Sequence, residues 1–122
     1  MAQILLIEDD GSLRETIKVL LERKGYEVMT ACDGEEGLKM FRSSPTPIVI
    51  TDIIMPNKEG VETIFELERN FPSVKIIAIS GGGKADAQNY LKAVSLISNV
   101  KHTLKKPFSN EELLSAVKEL LA

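Results

Sequence analysis

The chain has 122 residues, of which 43% are hydrophobic, and this is enough to fill the core of one domain. The net charge is −3 with both signs interspersed, so no basic surface for nucleic acid is indicated. The single cysteine, Cys32, excludes an internal disulfide and fits a reducing cytoplasm, and no apolar run has the length of a membrane span or the profile of a signal peptide. We expect one cytoplasmic, free-standing domain over residues 1–122 that contacts neither membrane nor nucleic acid.

Strand and helix patterns alternate from the start of the chain. The continuous apolar run from Ile4 to Ile7 predicts a strand that is buried on both faces. Leucine and isoleucine then recur at helical spacing over residues 13–21, which predicts an amphipathic helix that stops at Lys24 and Gly25. The stretch from Tyr26 to Ala31 predicts a second, more polar strand nearer the edge of a sheet.

Two patterns of the capping-box type mark the starts of helices. Asp33 with Glu36 begins the second predicted helix, and Ser109 with Glu112 begins the last one. Both helices also carry apolar residues that should face the core: Leu38, Met40 and Phe41 in the first, and Leu113, Leu114, Val117, Leu120 and Leu121 in the second.

Three further strands are predicted in the rest of the chain, from Ile48 to Thr51, from Lys75 to Ile79 and from His102 to Lys105. Two helices should lie between them. The third helix presents Val61, Ile64 and Phe65 to the core and ends before Pro72, and the fourth presents Tyr90, Leu91, Val94 and Ile97 and ends at Asn99.

Five strand-helix units in strict alternation predict an α/β fold with a parallel sheet that helices cover on both faces. Because crossovers between parallel strands are right-handed, the topology is restricted to doubly wound orders. Of these we expect the five-stranded, flavodoxin-like order 2-1-3-4-5, in which the first, third, fourth and fifth strands are neighbours. Ligands of such sheets bind beyond the carboxyl ends of the strands, so the residues at these ends are the candidates for a functional site.

Polar groups stand at the predicted strand ends: Glu8, Asp9 and Asp10 after the first, Asp52 after the third, Ser80 and Gly81 after the fourth, and Lys106 and Pro107 after the fifth. Crowded carboxylates need a counter-charge, and hard oxygen ligands with room for water suit Mg²⁺. A lysine, a hydroxyl and a backbone N–H can bind a phosphoryl group. The set therefore predicts magnesium-dependent phosphoryl transfer, with an aspartyl phosphate as the product.

The stretch SGGGKAD, which begins at Ser80, is not a nucleotide-binding loop. Ala85 stands where the phosphate-loop pattern requires Ser or Thr, and the glycines do not have the spacing of a dinucleotide fingerprint. We interpret Gly81 to Gly83 as a flexible loop whose rearrangement can accompany switching.

Four motifs together resemble the receiver domain of two-component response regulators, and the resemblance covers essentially the whole chain. The motifs are the acidic pair Glu8-Asp9, the segment TDIIMP that holds Asp52, the Ser80-Gly81 step and the run Lys106-Pro107-Phe108. Each motif is short, but all four occur in the family's order and at the expected strand ends.

The resemblance implies a role for each site residue. Asp52 would accept a phosphoryl group, Lys106 would pair with that group, and Ser80 would move toward it as a switch. Mg²⁺ would be bound by Asp9, Asp52 and the main-chain carbonyl of Ile54, with Glu8 holding a metal-bound water.

The resemblance also implies partners. The phosphoryl donor would be a histidine kinase or a phosphotransfer protein, and the phosphorylated domain would bind a downstream protein target, as a monomer or as a phosphorylation-dependent dimer. Such a domain is not an enzyme in its own right, although it assists its own phosphorylation and dephosphorylation.

Three positions depart from the family pattern. Thr103 stands where most receivers carry the aromatic switch residue, so we do not expect the usual aromatic readout. Ile54 and Gly82, two residues beyond Asp52 and Ser80, offer no carboxylate or amide to orient a hydrolytic water. We therefore expect a long-lived phosphoryl group.

Three residues close to the predicted site have structural interpretations. Asp10 suits the N-terminus of the first helix, where the helix dipole favours an anion, and we place it outside the site. Cys32 is expected to be a small buried hydrophobic residue rather than a redox centre. His102, for which no partner residue is evident, is expected to be structural or solvent-exposed.

Other functions stay open at this stage. A degenerate receiver that binds proteins without being phosphorylated would have the same fold, and labelling at Asp52 separates the two cases. A phosphatase or mutase would carry a second aspartate at position 54, where this chain has isoleucine. A flavodoxin-type electron carrier would stack aromatic residues on a flavin, and aromatic residues make up only 5% of this chain.

Overall fold

The computed structural model describes residues 2–53, 60–81 and 94–121. They form five strands and four helices: β1 (Ile4–Ile7), α1 (Gly11–Arg23), β2 (Val28–Ala31), α2 (Gly34–Ser43), β3 (Ile48–Asp52), α3 (Gly60–Asn70), β4 (Lys75–Ser80), β5 (Val100–Lys105) and α4 (Asn110–Leu121). Across these ranges, no helix combines the length and the apolar character that crossing a membrane would require.

The strands form one sheet in the order β2-β1-β3-β4-β5, and every neighbouring pair is parallel. This confirms the predicted doubly wound, flavodoxin-like order. The register aligns Ile7 with Thr51 in β3, and Asp52 with Ile79 in β4. The carboxyl ends of β1, β3 and β4 therefore meet at one edge of the sheet, where the predicted site residues lie.

Helices cover both faces of the sheet, which explains why the central strands are continuous apolar runs. Every residue of β1 and β3 is buried, and so is all of β4 except Lys75. On one face, apolar residues of α1 and α4 pack on the sheet around Leu6 and Ile50. On the other face, α2 and α3 pack around Leu5 and Val49.

Helix α1 has the ends that the sequence predicts. The Asp10 carboxylate accepts hydrogen bonds from the N–H groups of Ser12 (3.0 Å) and Leu13 (3.2 Å), which makes it the N-cap and confirms its structural interpretation. At the other end, Lys24 is the C-cap and Gly25 has a φ of 95°. Glycine is suited to that left-handed conformation because it has no Cβ.

Both predicted capping patterns are present, one of them in a modified form. Ser109 and Glu112 exchange hydrogen bonds of 3.0 and 3.1 Å between side chain and backbone, as a full capping box requires. At α2, the Asp33 carboxylate accepts from the Glu36 N–H at 2.8 Å. The Glu36 carboxylate accepts a hydrogen bond of 3.2 Å from the N–H of Cys32.

Several predicted strand limits were wrong by one or two residues. Strand β2 begins at Val28 instead of Tyr26, because the Tyr26 N–H still bonds to Leu21 O as α1 closes. Strands β3 and β4 each extend one residue further, so Asp52 and Ser80 are the last residues of their strands. Strand β5 begins at Val100, two residues before the predicted start.

The prediction that Phe65 faces the core was wrong, since 45% of its surface is exposed. The buried face of α3 instead contains Gly60, Thr63, Ile64 and Leu67. Phe65 follows Ile64 directly and is turned about 100° around the helix axis, which carries it out of the packed face.

The predicted fourth helix lies mostly outside the described residues, and Tyr90 and Leu91 belong to that part. Val94 and Ile97 are buried in the core, as expected. Asn99 has a role that the sequence did not predict. Its buried side-chain amide donates to the carbonyl oxygens of Phe71 (3.4 Å), Pro72 (3.0 Å) and Val74 (3.0 Å), and thereby joins the start of β5 to the loop before β4.

Candidate functional site

The candidate site is built by the ends of four strands. Asp52 and Ser80 end β3 and β4, while Glu8 and Lys106 directly follow β1 and β5. The backbone fixes these last two residues, because the Glu8 N–H bonds to Ala31 O at 3.1 Å and the Lys106 N–H bonds to Ser80 O at 2.8 Å. Glu8, Asp52 and Ser80 are all buried, at exposed fractions of 0%, 4% and 0%. The sheet topology therefore gathers the predicted site residues at one edge.

A single ammonium group contacts two carboxylates at the centre of the site. Lys106 Nζ donates a hydrogen bond of 2.7 Å to Asp52 Oδ2 and lies 3.1 Å from Glu8 Oε1. Contacts of this length between charged groups are strong when the groups are shielded from water. Lys106 is therefore already placed beside the carboxylate that the sequence identifies as the acceptor.

The acidic cluster has the donor set of a divalent cation site. One carboxylate oxygen from each of Glu8, Asp9 and Asp52 lies within 4.8 Å of the others. The buried Glu8 Oε1 shares the Lys106 ammonium, 3.1 Å away, with the Asp52 carboxylate. One ammonium leaves net negative charge on the three acids, and a hydrated cation would balance it. The cluster could therefore hold a metal ion of the oxygen-preferring class.

Burial makes Glu8 a weaker acid than a glutamate in water. It raises the pKa of Glu8 from 4.5 to about 7, with a further increase from the negative charge of Asp52 and a partial offset from the Lys106 ammonium. Glu8 is therefore partly protonated near neutral pH when no cation is bound.

Lys106 stays charged for the opposite reason. Burial alone would lower the pKa of Lys106, but the hydrogen bond to Asp52 and the charges of Asp52 and Glu8 outweigh burial and raise it above 10.5. A permanent positive charge at this position suits the binding of phosphoryl oxygens.

The two predicted switch residues lie close to the site but in different environments. The Ser80 side chain is fully buried, and its hydroxyl donates a long hydrogen bond of 3.5 Å to the carbonyl of Gly81. Thr103 lies on β5 opposite Ala78, and it is exposed. The weak hydrogen bond of Ser80 leaves its hydroxyl available for a better acceptor.

Two site contacts were not predicted. The buried Thr51 hydroxyl donates to the main-chain oxygen of Asp52 at 2.9 Å, and the Arg14 guanidinium donates to the main-chain oxygen of Glu8 at 2.8 Å. The two hydrogen bonds restrain the main chain at Asp52 and at Glu8, respectively. Thr51 could have been noted as a polar residue inside an apolar strand, whereas nothing in the sequence pairs Arg14 with Glu8.

The prediction that Cys32 is buried was wrong, because its side chain is exposed. Strand β2 is the edge strand, and Cys32 follows it directly. The thiol lies 3.5 Å from Glu36 Oε2, and this hydrogen bond, together with the negative charges of Glu36 and Asp33, raises the pKa of Cys32. The thiol therefore remains protonated at neutral pH, which does not suit a redox centre.

His102 and Ile54 complete the set of predicted residues. The His102 side chain is partly buried, and its Nε2 lies 3.4 Å from Glu119 Oε1 of α4, a partner that the sequence did not indicate. The contact joins β5 to α4, which agrees with the structural interpretation of His102. Ile54 lies outside the described residues, and its proposed main-chain metal contact stays a prediction.

An apolar cleft of about 580 Å³ opens beside the site. Its floor includes Lys106, Pro107 and Phe108, and its walls come from α1 and α4. The walls contain Leu13, Ile17, Leu20 and Leu113. A partner that reaches Asp52 past Lys106 would therefore meet an apolar surface.

Comparison with known proteins agrees with this geometry. The family model "Response regulator receiver domain" matches residues 4–118. The transcriptional regulatory protein CpxR of Escherichia coli is 31% identical over 121 residues, which are 99% of this chain and 50% of CpxR. Protein PilG of Pseudomonas aeruginosa is 34% identical over 119 residues, which are 95% of this chain and 84% of PilG. The chain spans about half the length of the first curated relatives it matches.

Solved structures show the same fold. A response regulator receiver domain protein from Clostridium thermocellum has a TM-score of 0.86 and 32% identity, covering 99% of this chain and 94% of its own. The chemotaxis protein CheY4 of Vibrio cholerae has a TM-score of 0.82 and 28% identity, covering 98% of both chains.

Proposed function

Because the chain belongs to the response regulator receiver domain family of two-component signalling, we propose that Asp52 accepts a phosphoryl group from a phosphohistidine of a histidine kinase or phosphotransfer protein. The observation that carries the proposal is the 2.7 Å contact between Lys106 Nζ and the Asp52 carboxylate beside a cluster of further acids. A nucleophilic carboxylate, a fixed cation and a cation-binding cluster are the parts that phosphoryl transfer requires.

The transfer exchanges one bond for another. An Asp52 oxygen attacks the phosphorus, the new oxygen–phosphorus bond forms, and the nitrogen–phosphorus bond to the donor imidazole breaks. The bonding electrons stay on the imidazole nitrogen, which takes up a proton from solvent. Lys106 then shares its ammonium protons between the acyl phosphate and Glu8, so the developing charge meets a cation that is already in place.

Ser80 connects the chemistry to a change of shape. Among the described residues, the Ser80 hydroxyl donates a hydrogen bond of 3.5 Å to the Gly81 carbonyl. A phosphoryl oxygen is a stronger acceptor, so the hydroxyl turns toward it and releases Gly81. A change at Ser80 and Gly81 would then alter the surface that the downstream protein target binds. Of the loop predicted over Gly81 to Gly83, only Gly81 lies within the described residues.

The acidic cluster fits Mg²⁺ better than a softer metal, since it offers only carboxylate oxygens among the described residues. Asp9 and Asp52 would hold the ion with Glu8 in its outer shell. When bound, Mg²⁺ supplies positive charge to the phosphoryl oxygens. A bound Mg²⁺ would also favour the ionised form of Glu8, because its positive charge offsets the effect of burial on the Glu8 carboxylate.

The apolar cleft beside Lys106 supports a protein as the donor. A donor histidine must approach Asp52 from the strand-end edge, and the cleft between α1 and α4 gives it an apolar surface on which to dock. We place this exchange in the cytoplasm. The free-standing organisation, the oligomeric state and the long lifetime of the phosphoryl group at a site with Ile54 stay predictions.

Phosphotransfer profiling tests the proposal. Each histidine kinase of the host is autophosphorylated, mixed with the chain and Mg²⁺, and sampled within seconds, so that the preferred donor is identified by rate. We expect rapid transfer from one donor to the native protein and none to Asp52→Asn. Asp10→Asn is the matched control, because Asp10 caps α1 outside the site, and it should be labelled at the native rate. Equal labelling of Asp52→Asn would contradict the proposal.

A further inference from the structure

Gly60, the first residue of α3, lies against the backbone that carries Asp52. A methyl group built on Gly60 would collide with the main-chain oxygen of Asp52. It would also lie 2.6 Å from Ile53 Cα and 2.7 Å from the carbonyl carbon of Asp52, where ordinary contacts begin at 3.4 Å. All three atoms belong to the backbone, so no side-chain rotation can relieve the contact.

A second buried glycine has different surroundings. A methyl group on Gly37 of α2 would meet only the side chain of Ile7, with Cγ1 at 2.8 Å. The Ile7 side chain can change its rotamer or shift within the core, at a cost in packing energy. Gly37→Ala would therefore strain the side chain of Ile7, whereas Gly60→Ala would strain the backbone at the end of β3.

The strand end that Gly60 contacts also sets the position of the Asp52 carboxylate. Strand pairing ends with the hydrogen bond from the Ile53 N–H to Ile79 O, at 2.9 Å. The partners of Asp52 are anchored elsewhere, Lys106 by its N–H bond to Ser80 and Glu8 by its bond to Ala31. A displacement of the Asp52 backbone would therefore change its distances to Lys106 and to Glu8 without moving these partners.

We infer that Gly60 is a positioning residue, whose missing side chain lets α3 seat against β3 and holds Asp52 at the distance that cation binding and phosphoryl transfer need. The inference rests on the proposed function of Asp52. To admit a methyl group, the backbone of α3 or of β3 must shift by well over half an ångström. Misplacement of a reacting group on this scale costs up to about 100-fold in rate.

The test compares Gly60→Ala with Gly37→Ala. For each protein, Mg²⁺ binding is measured by titration calorimetry, the melting temperature is measured without Mg²⁺, and phosphorylation by acetyl phosphate is followed with time. We expect Gly60→Ala to bind Mg²⁺ roughly 10- to 100-fold more weakly and to be phosphorylated correspondingly slowly. Gly37→Ala should lose thermal stability but keep the native Mg²⁺ affinity and rate.

The Kd for Mg²⁺ separates a positioning role of Gly60 from a purely structural role, because only folded molecules bind Mg²⁺ in the titration. Should Gly60→Ala be partly unfolded, the titration is repeated in trimethylamine N-oxide, which favours the compact state, with folding checked by circular dichroism. Native Mg²⁺ affinity in folded Gly60→Ala would overturn the inference, as would a variant that stays unfolded in the osmolyte. A native protein that takes up no phosphoryl group would instead refute the proposed function, while the Mg²⁺ comparison would still decide the role of Gly60.

Discussion

The Lys106 ammonium contacts two buried carboxylates at once, Asp52 at 2.7 Å and Glu8 at 3.1 Å. One positive charge cannot neutralise both, and Asp9 adds a third carboxylate within 4.8 Å of them. We expect the repulsion that remains to destabilise the fold when no cation is bound.

Asp52→Asn should therefore raise the melting temperature of the metal-free protein. The substitution removes one negative charge from the cluster and leaves Lys106 paired with Glu8, for an expected gain of about 1 kcal/mol, or roughly 4 °C. Calorimetry in a chelator gives this difference, which should shrink when Mg²⁺ stabilises the native protein. Asp10→Asn is the control, since Asn caps a helix as well as Asp does. An unchanged or lower melting temperature for Asp52→Asn would argue against a crowded acidic site.

The raised pKa of Glu8 predicts a pH dependence of stability with a definite sign. Between the unfolded value of 4.5 and the folded value of about 7, the folded protein binds more protons than the unfolded chain does. The free energy of unfolding should therefore fall as the pH rises through this window in the absence of metal. Urea denaturation of the native protein and of Glu8→Gln measures the effect. The variant should show a shallower decline, and identical slopes for the two proteins would contradict the assignment.

At the residue scale, the sequence predicted which groups meet but not how exposed each one is. Glu8, Asp52, Ser80 and Lys106 converge as expected because each stands at the end of a strand. Cys32 was misjudged because it lies just beyond the end of the edge strand β2, outside the packed part of that strand. The role of Arg14 could not be predicted, since its contact with Glu8 depends on how α1 is oriented.

At the scale of elements, the start of β5 is held to the loop before β4 by one side chain. The Asn99 amide donates to the carbonyl oxygens of Phe71, Pro72 and Val74, and the Asn99 residue is 4% exposed. This contact fixes how β4 and β5 enter the sheet, and their opposite ends carry Ser80 and precede Lys106.

Asn99→Ala should destabilise the protein by about 2–4 kcal/mol, because it removes three hydrogen bonds, including the buried one to Val74 O, together with packed side-chain atoms. Asn70→Ala, at the exposed end of α3, is the matched control and should change stability by less than about 0.5 kcal/mol. Urea denaturation measures both. Equal effects of the two substitutions would show that the Asn99 hydrogen bonds contribute no net stability.

Local sequence signals predicted which helices and strands form better than they predicted where each one begins and ends. Asp10, Asp33 and Ser109 mark helix starts in the sequence because their side chains replace missing backbone partners. The ends of strands carry no such signal. They depend on where a neighbouring strand stops offering partners, which is why β3 continues through Asp52 to pair with Ile79.

At the scale of the whole molecule, the alternation of elements predicted a parallel sheet with a doubly wound order. Right-handed crossovers leave few ways to arrange five parallel strands, and the observed order β2-β1-β3-β4-β5 is the expected one. This order makes β1, β3, β4 and β5 adjacent, so residues far apart in sequence form one site. The domain organisation of the whole protein could not be predicted in the same way, because curated relatives such as CpxR are about twice as long as this chain.

The central claim is that a phosphoryl group is carried by Asp52, and locating that group tests it most directly. The chain is phosphorylated with Mg²⁺ by acetyl phosphate, reduced with borohydride to convert an aspartyl phosphate to homoserine, digested and analysed by mass spectrometry. We predict homoserine at position 52 alone, with none formed when Mg²⁺ is chelated or when Lys106→Met replaces the native protein. Homoserine at another position, or no incorporation into the native protein with Mg²⁺ present, would contradict the account.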